Sequence, residues 1–278
     1  MRCAVLGDPV THSLSPVLHA AGYAAVGLED WSYDAVRVPA GALPGFVDDL
    51  DPTWRGLSVT APLKREALAF ASSVTARARL AGGVNTLVRS DLGWTGDNTD
   101  LPGAVSAIRE RYAGPVRSVL VLGGGATAAS VGLALGELGG SSLTLAVRDP
   151  ARAAETIDAL GAHPSGMVVD TVPLDPDGVA VVASRADVIV STIPVAAQTP
   201  DLVARCAGAP AVFEVTYNTW PTPLAAAASG VVVSGLDLLV HQAVLQFELF
   251  TGVPAPLEAM RSAGETALAA RASAEQRL

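Results

Sequence analysis

A glycine-rich turn is the feature of this sequence that most clearly predicts chemistry. The pattern Gly123-x-Gly125-x-x-Ala128 follows a strand-like run at residues 119–122 and precedes a helix-like run at residues 127–138. In that context the first glycine permits a tight turn, the second lets the backbone approach a pyrophosphate, and the alanine allows close helix packing. The first N–H groups of the helix then remain free for phosphate oxygens. The sequence therefore predicts a dinucleotide site that begins with Gly123, Gly124, Gly125 and Ala126.

The end of the next strand-like run, residues 143–147, should select the cofactor. An acidic residue at this point binds the ribose hydroxyls of NAD, whereas an arginine binds the 2′-phosphate of NADP. Because Arg148 and Arg152 flank this point, we predict NADP (NADPH) as the cofactor. Asp149 lies between them and keeps NAD open, and a solvated helix start would also account for both arginines.

Three polar clusters in the first hundred residues form a second set of candidates. Each lies at the end of a strand-like run, and α/β proteins bind their ligands in loops at the carboxyl ends of parallel strands. Taken singly, these side chains have ordinary explanations, because serines and aspartates cap helices and lysines lie in solvated first turns. Evidence from the rest of the chain is needed to assign these residues a structural or a functional role. The candidates are Ser13, Ser15, Thr60, Lys64, Asn85 and Asp100.

Strand-like and helix-like runs alternate along the chain, which is typical of an α/β fold. A helix is expected at residues 16–26, with Ser15 as its N-cap. After about residue 101 the alternation is regular and predicts a doubly wound sheet. Two closing helices, at residues 238–250 and 256–271, are expected to fold back on the first part of the chain.

We predict two domains, because 278 residues are many for one compact unit. Residues 1–101 with residues 237–278 are expected to form an N-terminal α/β substrate domain that carries catalysis. Residues 102–236 are expected to form a Rossmann-type doubly wound dinucleotide-binding domain for NADP.

The composition predicts a folded cytoplasmic protein and argues against other classes. The net charge is −9 and no basic run stands out, so we expect no nucleic-acid partner. Cys3 and Cys206, the only cysteines, show no metal or disulfide spacing, so we expect a reducing compartment and no metal. The uncharged run at residues 118–136 has the hydropathy of a membrane span, but its glycines indicate a buried strand and helix, and we expect no membrane partner. The oligomeric state stays open, with a homodimer as one option.

Five motifs in order resemble those of the shikimate dehydrogenase family. The family's Gly-x-Pro-x-x-His-Ser-x-Ser-Pro start matches residues 7–16, and its Val-Thr-x-Pro-x-Lys segment matches residues 59–64. Its Val-Asn-Thr and Asn-Thr-Asp segments match residues 84–86 and 98–100, and its Gly-x-x-x-Leu-x-x-Gln stretch matches residues 235–242. One such motif would be weak evidence. Five in family order, with the glycine turn between the fourth and the fifth, are specific.

The resemblance implies an oxidoreductase of the shikimate pathway, which serves aromatic amino acid biosynthesis. Its reaction would be the reversible reduction of 3-dehydroshikimate to shikimate by NADPH. In this family a lysine and an aspartate face the hydroxyl that is oxidised, and here these are Lys64 and Asp100. Paired serines hold the substrate carboxylate, other polar groups bind the ring hydroxyls, and a tyrosine lies near cofactor and substrate. The implied substrate-binding residues are Ser13, Ser15, Thr60, Asn85, Tyr217 and Gln242, and Gly235 joins the cofactor-binding residues.

The residue types fit this chemistry. When an alcohol carbon loses hydride, its hydroxyl must lose a proton, and Lys64 could exchange that proton or stabilise the developing oxyanion. Asp100 could orient Lys64 and hydrogen-bond the same hydroxyl. Its charge would favour a protonated lysine and burial would oppose one, so either group could be the formal base.

The sequence departs from the family pattern at several points. Ser58 stands where the family has an asparagine, residues 147–149 replace its Asn-Arg-Thr loop, and residues 191–194 replace its Asn-Ala-Thr segment. The alternatives are therefore a quinate or aminoshikimate dehydrogenase that uses NAD, or a non-catalytic binding protein of the same fold.

Overall fold

Two six-stranded sheets organise the chain, one in each of two units. The structure, a computed structural model, describes residues 1–275. The first unit comprises Met1–Arg79, Gly83–Thr99 and the chain from Leu239 onward, and the second comprises Leu80–Gly82 and Asp100–Leu238. Residues 276–278, which the sequence-based division assigned to the substrate domain, lie outside the described residues.

The sheet of the first unit is mixed, with strand order β2-β1-β3-β5-β6-β4. Its strands are β1 (Arg2–Gly7), β2 (Ser32–Arg37), β3 (Trp54–Val59), β4 (Ser73–Val74), β5 (Thr86–Ser90) and β6 (Gly93–Asp97). The first three run parallel, whereas β5 is antiparallel to both β3 and β6. The start of β5 therefore lies at the same edge of the sheet as the carboxyl ends of β1, β3 and β6.

This reversal corrects the expectation that every polar cluster follows a strand. Asn85 precedes β5 instead of following it, and Thr86 is the first residue of β5. Because β5 is antiparallel, Thr86 is in register with Ser58 on one side and with Asp97 on the other. The clusters converge on one edge all the same.

Among the described residues, six helices belong wholly or partly to the first unit. They are α1 (Ser15–Ala25), α2 (Leu43–Asp48), α3 (Lys64–Phe70), α4 (Ala76–Leu80), α11 (Gly235–Thr251) and α12 (Leu257–Glu275). The last two pack on the first unit, as predicted: a side chain at Gly56 of β3 would collide with the Phe250 ring of α11, and one at Gly22 of α1 would press on Phe247 and Met260. The predicted N-cap of α1 is wrong, because Leu14 occupies the cap position and Ser15 is the first helical residue.

The second unit has an all-parallel sheet with strand order β12-β11-β10-β7-β8-β9. Its strands are β7 (Ser118–Leu122), β8 (Ser142–Val147), β9 (Val168–Pro173), β10 (Val188–Ser191), β11 (Ala211–Glu214) and β12 (Val231–Val233). Counted from β7, this is the order 3-2-1-4-5-6 of the predicted doubly wound dinucleotide fold. The strand order reverses between β7 and β10, and ligands of such sheets bind at that point.

Helices connect these strands in turn, and a further helix of the unit, α5 (Asp100–Arg111), precedes β7. The connecting helices are α6 (Ala126–Glu137), α7 (Ala154–Gly161), α8 (Pro176–Ala183), α9 (Pro200–Cys206) and α10 (Pro223–Ala227). The uncharged run at residues 118–136 forms β7, the glycine turn and most of α6, whose residues from Ala128 to Gly136 are all buried. Among the residues the structure describes, no helix combines the length and hydropathy needed to cross a bilayer.

Candidate active site

The loop between β1 and α1 brings the two predicted carboxylate-binding serines together. The Ser13 hydroxyl donates to the Ser15 hydroxyl at 3.2 Å, and the Ser15 N–H donates to the Ser13 hydroxyl oxygen, also at 3.2 Å. Ser15 is buried in the first turn of α1, while Ser13 is partly exposed. The pair therefore offers adjacent hydroxyls at a helix start, where an anionic group is favoured.

The loop after β3 lies directly beside this serine loop. The Thr60 N–H donates to the Leu6 carbonyl at 2.9 Å, and the Asp8 N–H donates to the Ala61 carbonyl at 3.0 Å. These backbone bonds continue the β1–β3 pairing beyond the strand ends. The segment that carries Thr60 and Lys64 is thus fixed next to the segment that carries the serines.

Lys64 is the first residue of α3 and only 9% of it is exposed. Its carbonyl accepts a hydrogen bond from the Val84 N–H at 2.9 Å, which ties it to the strand that starts after Asn85. It is also the single lysine among the 18 cationic residues of the chain, since the others are all arginine. An ammonium group can release a proton near neutral pH when its surroundings allow, whereas a guanidinium cannot. The single ammonium side chain of the sequence therefore lies at the start of α3, in the loop region after β3.

Asn85 is the centre of a buried hydrogen-bond network. Its side-chain oxygen, Oδ1, accepts from the Thr99 N–H at 2.8 Å and from the Thr86 hydroxyl at 2.7 Å. Its side-chain nitrogen, Nδ2, donates to the Thr99 hydroxyl at 3.0 Å and to the side-chain oxygen of Gln242 at 3.4 Å. The network therefore joins Asn85 to Gln242, both predicted substrate ligands, and anchors Thr99, the residue that precedes Asp100.

Two glutamines of α11 close this network from the other side of the chain. Gln242 also donates to the Leu239 carbonyl at 3.0 Å. Gln246, one turn further along, donates to the Thr86 hydroxyl at 3.0 Å and to the backbone carbonyl of Asn85 at 3.2 Å. The sequence-based prediction included Gln242 and missed Gln246, which lies outside the five motifs. The four-residue spacing of two glutamines on one helix was the available signal.

Ser58 stands where the family has an asparagine, and its hydroxyl has hydrogen-bond partners within the protein. Its hydroxyl accepts from the Tyr33 hydroxyl at 2.5 Å and donates to the Gln246 carbonyl oxygen at 2.6 Å. The Tyr33 ring stacks on His19, with ring centroids 4.1 Å apart. Burial lowers the pKa of His19 to about 3, although nearby Gln246 favours the protonated ring without making a hydrogen bond of good geometry. His19 is therefore a neutral packing residue.

Asp97, at the end of β6, forms an ion pair that sequence reasoning missed. Its carboxylate accepts from Arg77 Nε at 2.7 Å, from the Thr75 hydroxyl at 2.7 Å and from the Asn98 N–H at 2.7 Å. Burial opposes the charge of Asp97, but the arginine and the other donors outweigh it and lower its pKa below the usual 3.8. The pair holds the strand end from which the segment 98–100 leaves the sheet.

Replacing Arg77 with alanine should destabilise the fold by about 1–2 kcal/mol at pH 7, because it leaves a buried carboxylate without its cation. The lowered pKa of Asp97 means that this contribution is complete above pH 3.8 and is lost as the pH falls through the folded-state value. Urea unfolding should therefore show a difference in unfolding free energy between wild type and variant at pH 7, and this difference should shrink below pH 4. Arg79→Ala, on the exposed face of the same helix, is the control. A difference that is independent of pH would contradict this role for the pair.

In the second unit, the glycine turn has the geometry the sequence predicts. Gly123 has φ +112°, which favours glycine, and a side chain there would collide with the Thr192 hydroxyl beyond β10. A Cβ at Gly124 would lie 2.7 Å from the Cβ of Ala153. At Gly125, by contrast, a Cβ would meet no heavy atom within 4 Å. The turn is closed on the protein side and open at the start of α6, which fits a bound pyrophosphate.

The predicted cofactor-selecting residues follow β8 and are exposed. Arg148 and Arg152 both present side chains to solvent. Asp149 instead caps the short 3₁₀ turn Pro150–Ala153, and its carboxylate accepts from the Ala151 N–H at 3.0 Å. One oxygen of this carboxylate thus accepts a backbone hydrogen bond, whereas both arginines are exposed.

Tyr217 lies in the loop after β11, and a buried carboxylate holds that loop. Glu214 is fully buried and accepts from Gln198 at 2.7 Å, from the Thr222 hydroxyl at 3.0 Å and from the Thr216 N–H at 3.0 Å. Burial raises the pKa of Glu214 despite these donors. Sequence reasoning missed this residue, because its role depends on the distant Gln198.

The remaining predicted residues also belong to the second unit. A side chain at Gly235 would collide with the Val215 carbonyl, so this glycine permits close approach to the strand that leads to Tyr217. Asp100 is the first residue of α5 and is 7% exposed. The sequence-based division had placed it in the first domain.

Family models match both ends of the chain. Residues 5–87 match the shikimate dehydrogenase substrate binding domain, and residues 235–263 match the shikimate 5′-dehydrogenase C-terminal domain. The first match contains the serine loop, the Lys64 segment and Asn85. The second contains Gly235 and both glutamines of α11.

Relatives named shikimate dehydrogenase match in sequence and in structure. The NADP(+) enzyme of Xanthomonas euvesicatoria is 45% identical over 166 residues, a match that spans 58% of this chain and just over half, 57%, of that protein. The NADP(+) enzyme of Thermus thermophilus is 35% identical over 270 residues, which are 96% of this chain and 99% of that one. The crystal structure of the Thermus enzyme in complex with NADP(H) and shikimate superposes with a TM-score of 0.82 at 32% identity, over 96% of this chain and 99% of that one.

The crystal structure of Mycobacterium tuberculosis shikimate dehydrogenase superposes with a TM-score of 0.88 at 42% identity. It covers 95% of this chain and 99% of that chain. Agreement over nearly the full length in sequence and in structure extends the local motif matches to both units. The chain belongs to the shikimate dehydrogenase family.

Proposed function

We propose that this protein catalyses the reversible NADPH-dependent reduction of 3-dehydroshikimate to shikimate. The observation that carries the proposal is the edge of the first sheet, where the only lysine of the chain, a hydroxyl pair and a buried amide network lie on adjacent loops. The relatives that match over the full length bear this activity in their names. We assign residues 1–101 and 237–278 to the substrate domain and residues 102–236 to the NADP domain.

The first-unit residues fit a polyhydroxylated carboxylic acid. Ser13 and Ser15 would hold the carboxylate, because adjacent hydroxyls at the start of a helix favour an anion. Thr60, Asn85 and Gln242 would bind ring hydroxyls. The Asn85 amide is already oriented by four bonds within the protein, so its position is set before any ligand arrives.

The catalytic roles fall to Lys64 and Asp100. NADPH, when bound, supplies the hydride. Lys64 would donate the proton that the carbonyl oxygen of the substrate needs in reduction, and accept it in the reverse direction. Asp100 would orient the ammonium group and hydrogen-bond the same oxygen. Thr99 supports this role, because its N–H and hydroxyl both bind Asn85 and so fix the backbone one residue before Asp100.

The glycine turn and the arginines would hold the cofactor. The open space at Gly125 would admit a pyrophosphate to the start of α6. Arg148 and Arg152 favour NADP because both are exposed beside β8, while the Asp149 carboxylate is engaged in capping. Tyr217 and Gly235 would lie near the nicotinamide.

Replacing Arg148 with glutamine should raise the KM for NADPH by about 10- to 100-fold, because a charged bond to the 2′-phosphate is lost. The KM for NADH, which lacks that phosphate, should change little. Steady-state assays measure the KM for each cofactor in wild type and variant. Asp149→Asn, which can still cap the turn, is the control. A KM for NADPH within twofold of wild type would mean that Arg148 does not bind the 2′-phosphate.

The direct test of the function is a spectrophotometric assay at the nicotinamide absorbance. Shikimate and quinate are each offered with NADP and with NAD. We expect the highest kcat/KM for shikimate with NADP. A preference for quinate with NAD would replace the proposed substrate and cofactor, and binding of shikimate without turnover would identify a non-catalytic member of the family.

We also infer a cytoplasmic location. Cys3 and Cys206 are both buried and free, and burial raises the pKa of each to about 11. Neither thiol is placed for a disulfide, which suits a reducing compartment. Fractionation of cells that express the protein tests the location.

A further inference from the structure

We propose that Thr156 is a positioning residue for the cofactor, which orients the glycine turn so that its backbone can bind the pyrophosphate. The inference rests on the proposed binding of NADPH. Thr156 lies on α7, is 1% exposed and belongs to no motif of the sequence analysis. Its hydroxyl donates to the Gly124 carbonyl at 2.9 Å, with the Gly125 carbonyl at 3.3 Å as the weaker acceptor.

The partner of this hydroxyl differs from that of four other helical hydroxyls in the described part of the chain. A serine or threonine inside a helix usually donates to the carbonyl four residues before it. Ser130, Thr251, Thr266 and Ser273 all do so. Thr156 instead reaches across to another element, so its hydroxyl fixes the turn and not its own helix.

The bond determines which way one peptide group faces. In a planar trans peptide, the C=O of one residue and the N–H of the next point in opposite directions. Because Thr156 holds the Gly124 carbonyl towards α7, the Gly125 N–H points away from α7. The Gly125 carbonyl already accepts from the Ala129 N–H of α6 at 3.1 Å, so Thr156 chiefly determines the Gly124–Gly125 peptide.

Open space adjoins the turn at Gly125 and not at Gly124. A Cβ at Gly125 would meet no heavy atom within 4 Å, whereas one at Gly124 would press on Ala153 and Val147. Ala153 lies three residues before Thr156, on the same face of this helical segment. The α7 segment therefore contacts the turn twice, once by packing and once by the hydroxyl, and the Gly125 N–H faces away from this segment.

The same segment also links the two ends of the proposed cofactor site. Arg148 and Arg152, the proposed 2′-phosphate ligands, precede α7 directly, and Thr156 lies one helical turn after Arg152. A shift of α7 would therefore move the arginines and release the turn together. Loss of the hydroxyl alone should affect the pyrophosphate contact and leave the arginines in place.

The test compares Thr156→Val, which keeps the shape and removes the hydroxyl, with Thr156→Ser, which restores a hydroxyl. The Kd for NADPH is measured by fluorescence titration, and the Kd for shikimate by calorimetry. For Thr156→Val we expect a Kd for NADPH raised about 5- to 10-fold, since one backbone-orienting hydrogen bond is lost. The Kd for shikimate and the kcat at saturating NADPH should stay within twofold, and Thr156→Ser should recover most of the affinity. Thr144→Val, a buried threonine on β8, is the matched control and should not change the Kd for NADPH.

The outcomes separate this inference from the proposed function. If wild type fails to bind NADPH, the proposed function fails. If wild type binds but Thr156→Val binds equally well, the function stands and Thr156 only packs α7 against the turn. Thr156→Val could also weaken the binding of NADPH and of shikimate alike, with no recovery in Thr156→Ser. That result would indicate a general loss of structure, and the inference would be overturned.

Discussion

Replacing Lys64 with methionine should lower kcat by about 10²- to 10⁴-fold, the usual contribution of a positioned proton donor or acceptor. Methionine keeps the unbranched stem and removes only the ammonium group. Lys64 is 9% exposed and its backbone is fixed by Val84, so the variant should fold. Steady-state rates with shikimate and NADP measure the loss, and calorimetry should show a Kd for shikimate within about tenfold.

Arginine at the same position separates two explanations of the loss. A guanidinium keeps the positive charge and cannot exchange a proton near neutral pH. If Lys64 only stabilises a developing oxyanion, Lys64→Arg should retain more of the activity than Lys64→Met. If proton exchange is its role, both variants should be equally impaired.

The scarcity of lysine offers a test that does not depend on activity. A protein with this sequence has two kinds of amine, Lys64 and the N-terminal amine. Saturating shikimate should slow the reaction of an acylating reagent at Lys64 and leave the N-terminal amine unaffected, as mass spectrometry of the two peptides would show. Arg65→Ala, at the exposed neighbouring position, should keep full activity. Equal labelling with and without shikimate would place Lys64 away from the substrate.

Local patterns in the sequence were sufficient to predict the doubly wound sheet of the second unit. A parallel sheet buried on both faces produces continuous apolar strands such as residues 119–122, and the glycine turn marks where the first strand meets its helix. These signals need only a few neighbouring residues. The doubly wound sheet is confirmed, and the turn has a positive φ at Gly123 and open space at Gly125.

The first unit shows where such reasoning ends. Strand β6, with sequence Gly-Trp-Thr-Gly-Asp, has too few apolar residues to stand out, and without it the direction of β5 is undetermined. The polar clusters are visible in the sequence, but the reason they converge, a reversed strand that starts at the edge where its neighbours end, depends on pairing between distant segments.

Supporting polar residues were the least predictable part of the site. Gln246, Arg77 and Thr156 each act through a partner on another element, and no spacing along the chain announces such a partner. The family motifs identify groups proposed to touch ligands. The residues that hold those groups in place emerge only when the elements are packed together.

Replacing Gly125 with aspartate should abolish NADPH binding, with a Kd raised by about 100-fold or more, and leave the fold intact. The backbone there has φ −90° and ψ −176°, which any residue can adopt, and a Cβ would meet no heavy atom within 4 Å. The added carboxylate would occupy the open space at the start of α6 and repel the pyrophosphate. Fluorescence titration measures the Kd, and circular dichroism with thermal unfolding checks the fold.

Gly123→Ala and Gly125→Ala complete this test by separating strain from obstruction. At Gly123 the positive φ and the collision with Thr192 should lower the unfolding temperature whether or not cofactor is present. At Gly125, alanine should leave the unfolding temperature unchanged and should raise the Kd for NADPH less than aspartate does. If Gly125→Asp binds NADPH as wild type does, the pyrophosphate does not lie at the start of α6. The proposed cofactor site would then fail even if the activity were confirmed, because that site depends on the one position of the turn with space for a ligand.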